Sequence, residues 1–310
     1  MTGRFLLGAI VLLAAGACSS DDSETVAATD IVLPDGTADT GTTQTDTEVP
    51  LDVTEIVDVA CGDPSFSMVG GLRRYPYLQT VTGSEARVVW TATLEGGGAI
   101  EWSTGDEWTR MEATRELFDV ERTLGEVDYW SYEARLTGLV AGQTYCYRVV
   151  LDEVTIASGL HFTTAWSDPD RPLRILAFGD SGTGSVDQLA LRDRMMEHEF
   201  DVFLHLGDMA YGSGTFSEFE KHMFEIYRDI MHGVPMWPTM GNHEFKTQAG
   251  QPYLDVFSLP EVAVREEETE RYYSFDYGNV HLVSVDSNDS QLVLSALYDI
   301  SGEPSMFKWL

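Results

Sequence analysis

Positive charge is what this 310-residue chain lacks most. It holds 19 Lys and Arg against 51 Asp and Glu, a net charge of −32. Nucleic-acid binding needs a basic surface, so that function class is excluded. Long apolar runs are missing as well. The stretch from Phe5 to Ala15 is too short to favour a membrane-spanning helix. Cysteine is limited to Cys18, Cys61 and Cys146. Between Cys18 and Arg73 there is neither Lys nor Arg, while residues 19–64 hold twelve Asp or Glu. Such a run reads as a solvated, self-repelling linker rather than a binding surface. Against these absences, 43% hydrophobic residues suffice for real cores, and the length allows about two domains.

The N-terminus reads as an export signal, with Arg4 as the positive start and Phe5 to Ala15 as the apolar core. Ala15-Gly16-Ala17-Cys18 resembles a bacterial lipobox. That resemblance implies a signal peptide over 1–18 and a lipidated Cys18, whose acyl chains would hold the protein to membrane lipid. Ser19 after it would favour the outer membrane or cell surface. A simple secretory signal with an incidental Cys stays open. Residues 19–66 would then be a disordered acidic linker rich in Thr and Asp. Export places Cys61 and Cys146 where disulfides persist, but pairing and two separate thiols remain equal alternatives.

Residues 70–166 read as an all-β sandwich. Short β-rich runs such as Arg87-Val88-Val89-Trp90 and Tyr145-Cys146-Tyr147 are separated by turn residues. Leu139 to Tyr145 resembles the tyrosine corner of fibronectin-like domains, and this module is expected to be a scaffold. Trp166 to Pro172 marks a boundary, where alternating strands give way to continuous apolar ones. Helices are expected over Val186–Phe200, capped by Ser185, and over Thr215–Met231. In the second, Thr215 and Glu218 form a capping box, and Phe216, Phe219, Met223, Ile226 and Ile230 share a face. Both helices should lay apolar faces on the sheet.

Three stretches carry the chemistry. Leu173 to Phe178 runs into Asp180, Val202 to Leu206 into Asp208, and Met236 to Met240 into Asn242. Continuous apolar strands between helices point to an α/β domain with a sheet covered on both faces, where ligands gather at the strand carboxyl ends. Two Asp, Tyr211 and Asn242 would converge there as hard oxygen donors. A phenol with a pKa near 10 needs a strongly Lewis-acidic ion to hold it deprotonated, which points to Fe(III) beside a divalent ion. Two ions roughly 3.5–4 Å apart can clamp a phosphate ester and activate water.

Asp180-x-Gly182, Gly207-Asp208-x-x-Tyr211 and Gly241-Asn242-His243-Glu244 resemble three of the five signature blocks of purple acid phosphatases, a branch of the calcineurin-like metallophosphoesterases. The resemblance runs over 171–310. It implies that Asp180 and Tyr211 bind Fe(III), that Asp208 bridges, and that Asn242 binds the second metal (Fe, Zn or Mn). His243 would contact the phosphate and act in catalysis without binding metal. The family's last two blocks, Val-x-x-His and Gly-His-x-His, are absent. After His243 the chain has only His281. Ser305 to Leu310 resembles the start of the helix preceding those blocks, so the sequence reads as C-terminally truncated.

His205, His161 and His281 read as structural, and His198, His222 and His232 as helix-surface or helix-end residues. Asp286, at the end of the strand Leu282–Val285, reads as a plain turn that could reach the site's surroundings. The leading function is acid phosphatase hydrolysis of phosphate monoesters. A phosphodiesterase or nucleotidase on the same scaffold, and an inactive fragment without the missing His ligands, stay open. The sequence leaves the oligomeric state open too.

Overall fold

A computed structural model describes residues 9–14, 60–105, 107–262, 269–288 and 306–309. Cys18 and most of the acidic linker lie outside the described residues. Among the described residues, no helix is long and apolar enough to cross a membrane. Ala9–Ala14 forms strand β1. Nine strands follow: β2 (Ser65–Phe66), β3 (Leu72–Gln79), β4 (Glu85–Ala92), β5 (Gly98–Ser103), β6 (Thr109–Glu112), β7 (Thr114–Phe118), β8 (Tyr129–Thr137), β9 (Thr144–Leu151) and β10 (Val154–Thr163). They form two antiparallel sheets, ordered β2-β10-β9-β5-β6 and β3-β4-β8-β7.

Alternation along β4 explains how these sheets pack. Val88 and Trp90 enter a core with Ile100, Tyr147 and Leu160 of the other sheet. Val89 points the opposite way, into a second core. Tyr77, Phe118 and Tyr129 from neighbouring strands join it there. The four-stranded sheet therefore contributes side chains to a core on each of its faces, although β7, at its edge, is largely exposed. The Tyr145 hydroxyl accepts the Val140 backbone N–H at 2.8 Å. Cys61 and Cys146 are joined as a disulfide with Cα atoms 5.2 Å apart.

The second core lies over a parallel sheet of β11 (Ile175–Phe178), β12 (Val202–His205) and β13 (Met236–Pro238), in that order. A hairpin of β14 (Tyr273–Tyr277) and β15 (Val280–Val285) follows, with β1 parallel to β15. β12, in the middle, is fully buried. β11, at the edge, is not: Ile175 and Ala177 are exposed, while Leu176 and Phe178 pack inward. The expectation of a sheet covered on both faces fails for this strand.

The two expected helices differ. Phe216–Met231 begins with the capping box of Thr215 and Glu218 and buries Phe216, Phe219, Met223, Ile226 and Ile230, as the periodicity demands. Its middle, Glu220–Phe224, is a π-helical turn. The other helix spans only Val186–Met195 and is capped by Ser185. It buries Gln188 and Met195 but exposes Val186, Leu189 and Leu191. The expected apolar face over the sheet is absent there, because Gln188 is the side chain turned inward, bonded to the His222 carbonyl and the Tyr227 hydroxyl.

The β-sandwich and the parallel sheet share buried polar contacts. Arg74 lies fully buried against Glu220, which also pairs with Arg73 at 2.8 Å. Burial by itself would raise the Glu220 carboxyl, but the Arg74 and Arg73 guanidinium groups hold it below the usual carboxylate range. The Gln79 amide donates to the Met236 carbonyl at 2.9 Å, tying β3 to β13. The Tyr147 hydroxyl donates to the His232 carbonyl at 2.7 Å. His232 is thus the helix-end residue expected, the C-cap of Glu225–Met231, and it is buried beneath the sandwich.

Candidate metal and phosphate site

Parallel pairing does not stop where the strands end. The Leu206 N–H donates to the Phe178 carbonyl at 2.8 Å and the Asp180 N–H to the Gly207 carbonyl at 3.1 Å. The Gly182 N–H reaches the Asp208 carbonyl at 3.1 Å, and Tyr211 returns the contact to the Gly182 carbonyl at 2.8 Å. The loops after β11 and β12 are thus laced together, which fixes Asp180 and Asp208 relative to one another. Both Asp residues sit in left-handed backbone, at φ 53° and 55°. Asp tolerates that region better than most residues, and such strain at a strand end marks a built site.

The Tyr211 hydroxyl lies 3.1 Å from the Asp180 Oδ1 and 3.3 Å from the Asp208 Oδ2. Three oxygen donors from two strand ends therefore meet. Asp208 is buried at their centre and Asp180 is exposed at the rim. Burial, then the Asp208 and Asp180 carboxylates, push the Tyr211 phenol well above its usual range. A cation among the same oxygens would reverse the sign of that field.

The third loop arrives through backbone. The His243 N–H donates to the Asp208 Oδ1 at 2.9 Å. A Cβ on Gly241 would fall 2.2 Å from the Asp208 backbone N and Oδ1, so only glycine permits this approach. Gly182 is equally tight, 2.1 Å from the Met209 carbonyl carbon. Asn242 therefore stands one residue from two contacts to Asp208, and its Oδ1 is buried without a hydrogen-bond partner. A buried orphan acceptor beside two carboxylates and a phenol fits a hard cation. Among the described residues no three His, Cys, Asp or Glu side chains form a ready cation cage. The convergent set here depends on Tyr and Asn as well.

The His243 ring packs edge-on to Tyr211, with centroids 4.2 Å apart. Its Nδ1 lies 2.8 Å from the Gly212 carbonyl. Lys246 Nζ lies 3.0 Å from the same nitrogen and 3.2 Å from Nε2. Cationic and imidazole groups thus border the oxygen cluster on one side.

Sequence reasoning gave no role to Glu244. Its buried carboxylate accepts the N–H groups of Asp208, Ala210 and Gly241 at 2.8 to 2.9 Å. Burial and the Asp208 charge push it up to about 7, against the pull of those three N–H donors. The signal was available: Glu244 stands three residues after Gly241, at the N3 position of the short helix Asn242–Phe245. Lys246 was also missed, and nothing in its spacing marks it.

His205 is a core residue, as expected. It is fully buried, its Nε2 is 3.0 Å from the Ser181 Oγ, and burial lowers its pKa to about 3. His281 instead pairs with Asp276 at 2.7 Å on the surface. Asp286 is more than a turn residue: it is fully buried, 3.6 Å from Arg271, and Asn288 links it to the Met240 carbonyl just before Gly241.

Residues 173–303 match the family model of calcineurin-like phosphoesterases. No curated protein matches the chain. Among solved structures, the purple acid phosphatase PPD1 from yellow lupin (Lupinus luteus) seeds is similar in fold, with a TM-score of 0.58 at 20% identity. That likeness covers 72% of this chain and 47% of the lupin protein, so the chain spans about half of that relative. A structure of PhoD is also similar, with a TM-score of 0.49, 12% identity, and 69% and 51% of the two chains covered.

Proposed function

We propose, from the match of residues 173–303 to the family model of calcineurin-like phosphoesterases, that the chain hydrolyses phosphate monoesters at a dinuclear metal centre of the purple acid phosphatase type. The observation that carries this reading is the Tyr211 hydroxyl lying within 3.1 and 3.3 Å of the Asp180 and Asp208 carboxylates. Asp180 and Tyr211 would hold Fe(III), Asp208 would bridge, and Asn242 would offer its free Oδ1 to a divalent ion (Fe, Zn or Mn). When bound, such a pair supplies Lewis acidity and an activated water.

The chain's own groups account for the rest. The His243 N–H and the Glu244 carboxylate fix Asp208 from both sides, so the bridging oxygens are oriented in advance. In its doubly protonated form, with Nδ1 toward the Gly212 carbonyl, the His243 ring would turn Nε2–H to a phosphate oxygen and pass that proton to the leaving alkoxide. The Cys61–Cys146 disulfide supports export to an oxidising compartment. Lipid anchoring through Cys18 at the bacterial envelope, with a fibronectin III-like sandwich as scaffold, completes the proposal.

Iron reconstitution tests it. The loaded protein should show a visible ligand-to-metal charge-transfer band, and Tyr211→Phe should abolish it. Asp208→Ala should abolish iron binding and the hydrolysis of p-nitrophenyl phosphate together. A band surviving in Tyr211→Phe would overturn the ferric assignment, and turnover surviving in Asp208→Ala would overturn the site. Equal or faster turnover of bis-p-nitrophenyl phosphate would overturn monoester preference.

A further inference from the structure

The chain's scarce positive charge is not spread evenly. Five of its 19 Lys and Arg line one cleft of about 520 Å³. Arg73 and Arg74 enter it from the sandwich, Arg192 from the helix Val186–Met195, and Lys221 and Arg228 from the helix Phe216–Met231. Glu220 and Glu225 are the two acids among the lining residues. The lining therefore carries five positive and two negative charges, in a chain whose net charge is −32.

The internal pairings leave much of this charge uncompensated. Glu220 is shared by Arg73 and Arg74, so one carboxylate faces two guanidinium groups. Arg192 folds back on its chain neighbour Asp193 at 2.6 Å, and Arg228 approaches Asp229 at only 3.6 Å. Both of those acids are largely exposed, and neither lines the cleft. Lys221 has no ion-pair partner among the described residues. Like charges gathered from three elements repel one another, and an anion between them relieves that repulsion.

The remaining walls are apolar or aromatic. Tyr75 stacks on Phe66 with ring centroids 3.9 Å apart and lies 5.1 Å from the Arg228 guanidinium. Met68 and Leu189 line the same cleft and are exposed. The volume suits a small organic ligand. Gly184, on the loop that follows Asp180, closes one side against the His222 ring, and a Cβ there would fall 2.8 Å from that ring.

We propose that this cleft is a second anion site, separate from the oxygen cluster of Asp180, Asp208 and Tyr211, which takes the phosphate group of an organic phosphate. Arg192, Lys221 and Arg228 receive the phosphoryl oxygens, for which the guanidinium fork is well shaped. The apolar body of the ligand lies on Met68, Leu189 and the Tyr75 ring. A soluble phosphate monoester and a lipid phosphate headgroup share this chemistry.

The test is titration of the full-length, EDTA-treated protein with phenylphosphonate, whose P–C bond resists hydrolysis, in parallel with sedimentation on phosphatidic acid and phosphatidylcholine vesicles. Phenylphosphonate binding should persist in Asp208→Ala and weaken at least tenfold in the triple variant Arg192→Gln, Lys221→Gln, Arg228→Gln. Added salt should weaken the wild-type interaction. If phenylphosphonate fails to bind but phosphatidic acid vesicles retain the wild type and not the triple variant, the site stands with lipid as the source. The proposal is overturned if the triple variant binds like the wild type, if Asp208→Ala abolishes binding, or if neither probe binds. Thermal unfolding confirms that the triple variant folds. Should it not fold, the exposed Lys221→Gln alone decides: a severalfold loss supports the site and unchanged binding overturns it. Failure here leaves the hydrolase reading untouched, since that reading is tested by iron and turnover.

Discussion

Glu244 accepts the backbone N–H of Asp208 at 2.8 Å across 36 positions of sequence, and two further N–H groups converge on the same carboxylate. This one side chain holds the loop after β12 to the loop after β13. Glu244→Gln keeps the size but replaces an acceptor oxygen with a donor, leaving at least one buried N–H unmatched. We expect it to cost about 1–3 kcal/mol in urea unfolding at pH 7, with weakened iron binding by titration.

Two glycines set how closely the loops approach. Gly182→Ala and Gly241→Ala would each drive a Cβ to within 2.2 Å of backbone on the facing loop. Each should destabilise the fold by about 1–3 kcal/mol and lower turnover with it. Gly105→Ala meets nothing within 4 Å and should stay within about 0.5 kcal/mol of wild type. Thermal unfolding of the three variants gives the comparison.

The Arg74–Glu220 pair predicts an acid dependence with a definite sign. The folded Glu220 carboxyl lies below its ordinary value, so its contribution is fully present above the unfolded pKa of about 4.3. That contribution is lost as pH falls through the folded value. Glu220→Gln leaves Arg74 buried and unpaired, which should cost about 3–5 kcal/mol at pH 7. The gap between wild type and variant should narrow in denaturation curves taken below about pH 4.

His205 acts higher on the pH scale. Its folded pKa of about 3 lies below the unfolded value of about 6.5. The neutral ring's contribution is therefore complete above about pH 6.5 and declines as pH falls towards 3. Wild-type stability should drop by up to about 1.4 kcal/mol per pH unit from this residue across that window. His205→Asn should flatten the slope between pH 6 and 4.5 in chemical denaturation.

Cys61 and Cys146 close a loop of 85 residues. Cys146→Ser, or reduction with dithiothreitol, should lower stability by about 2–4 kcal/mol. Calorimetry with and without reductant checks it.

The sequence made some of this legible and hid the rest for physical reasons. Local rules worked where the cause was local. Ser185 and the Thr215–Glu218 box cap the helices they were assigned to, because a cap depends on three or four neighbouring residues. The runs into Asp180 and Asp208 are strands, since unbroken apolar β-formers have few other uses. The helix from Val186 misled because its periodicity cannot tell whether a partner lies opposite, and Leu189 and Leu191 stay exposed. The Asp208 and Ala210 N–H bonds to Glu244 and the Arg74–Glu220 pair join chain segments distant in sequence. No window of sequence contains both partners. Fold recognition by motif was possible, whereas the long-range contacts that brace the motif were not written in any one stretch of it.

Tyr77, Val89, Phe118 and Tyr129 of the sandwich are buried in the same cluster as Phe203 and Trp237 of the parallel sheet. A gene segment encoding residues 173–303 by itself would carry the signature loops but not the sandwich side chains that close this cluster. Recombination that moved the catalytic half into a new protein would have to bring the sandwich along or replace its aromatic face. In this lineage the two halves are therefore expected to be inherited as one piece.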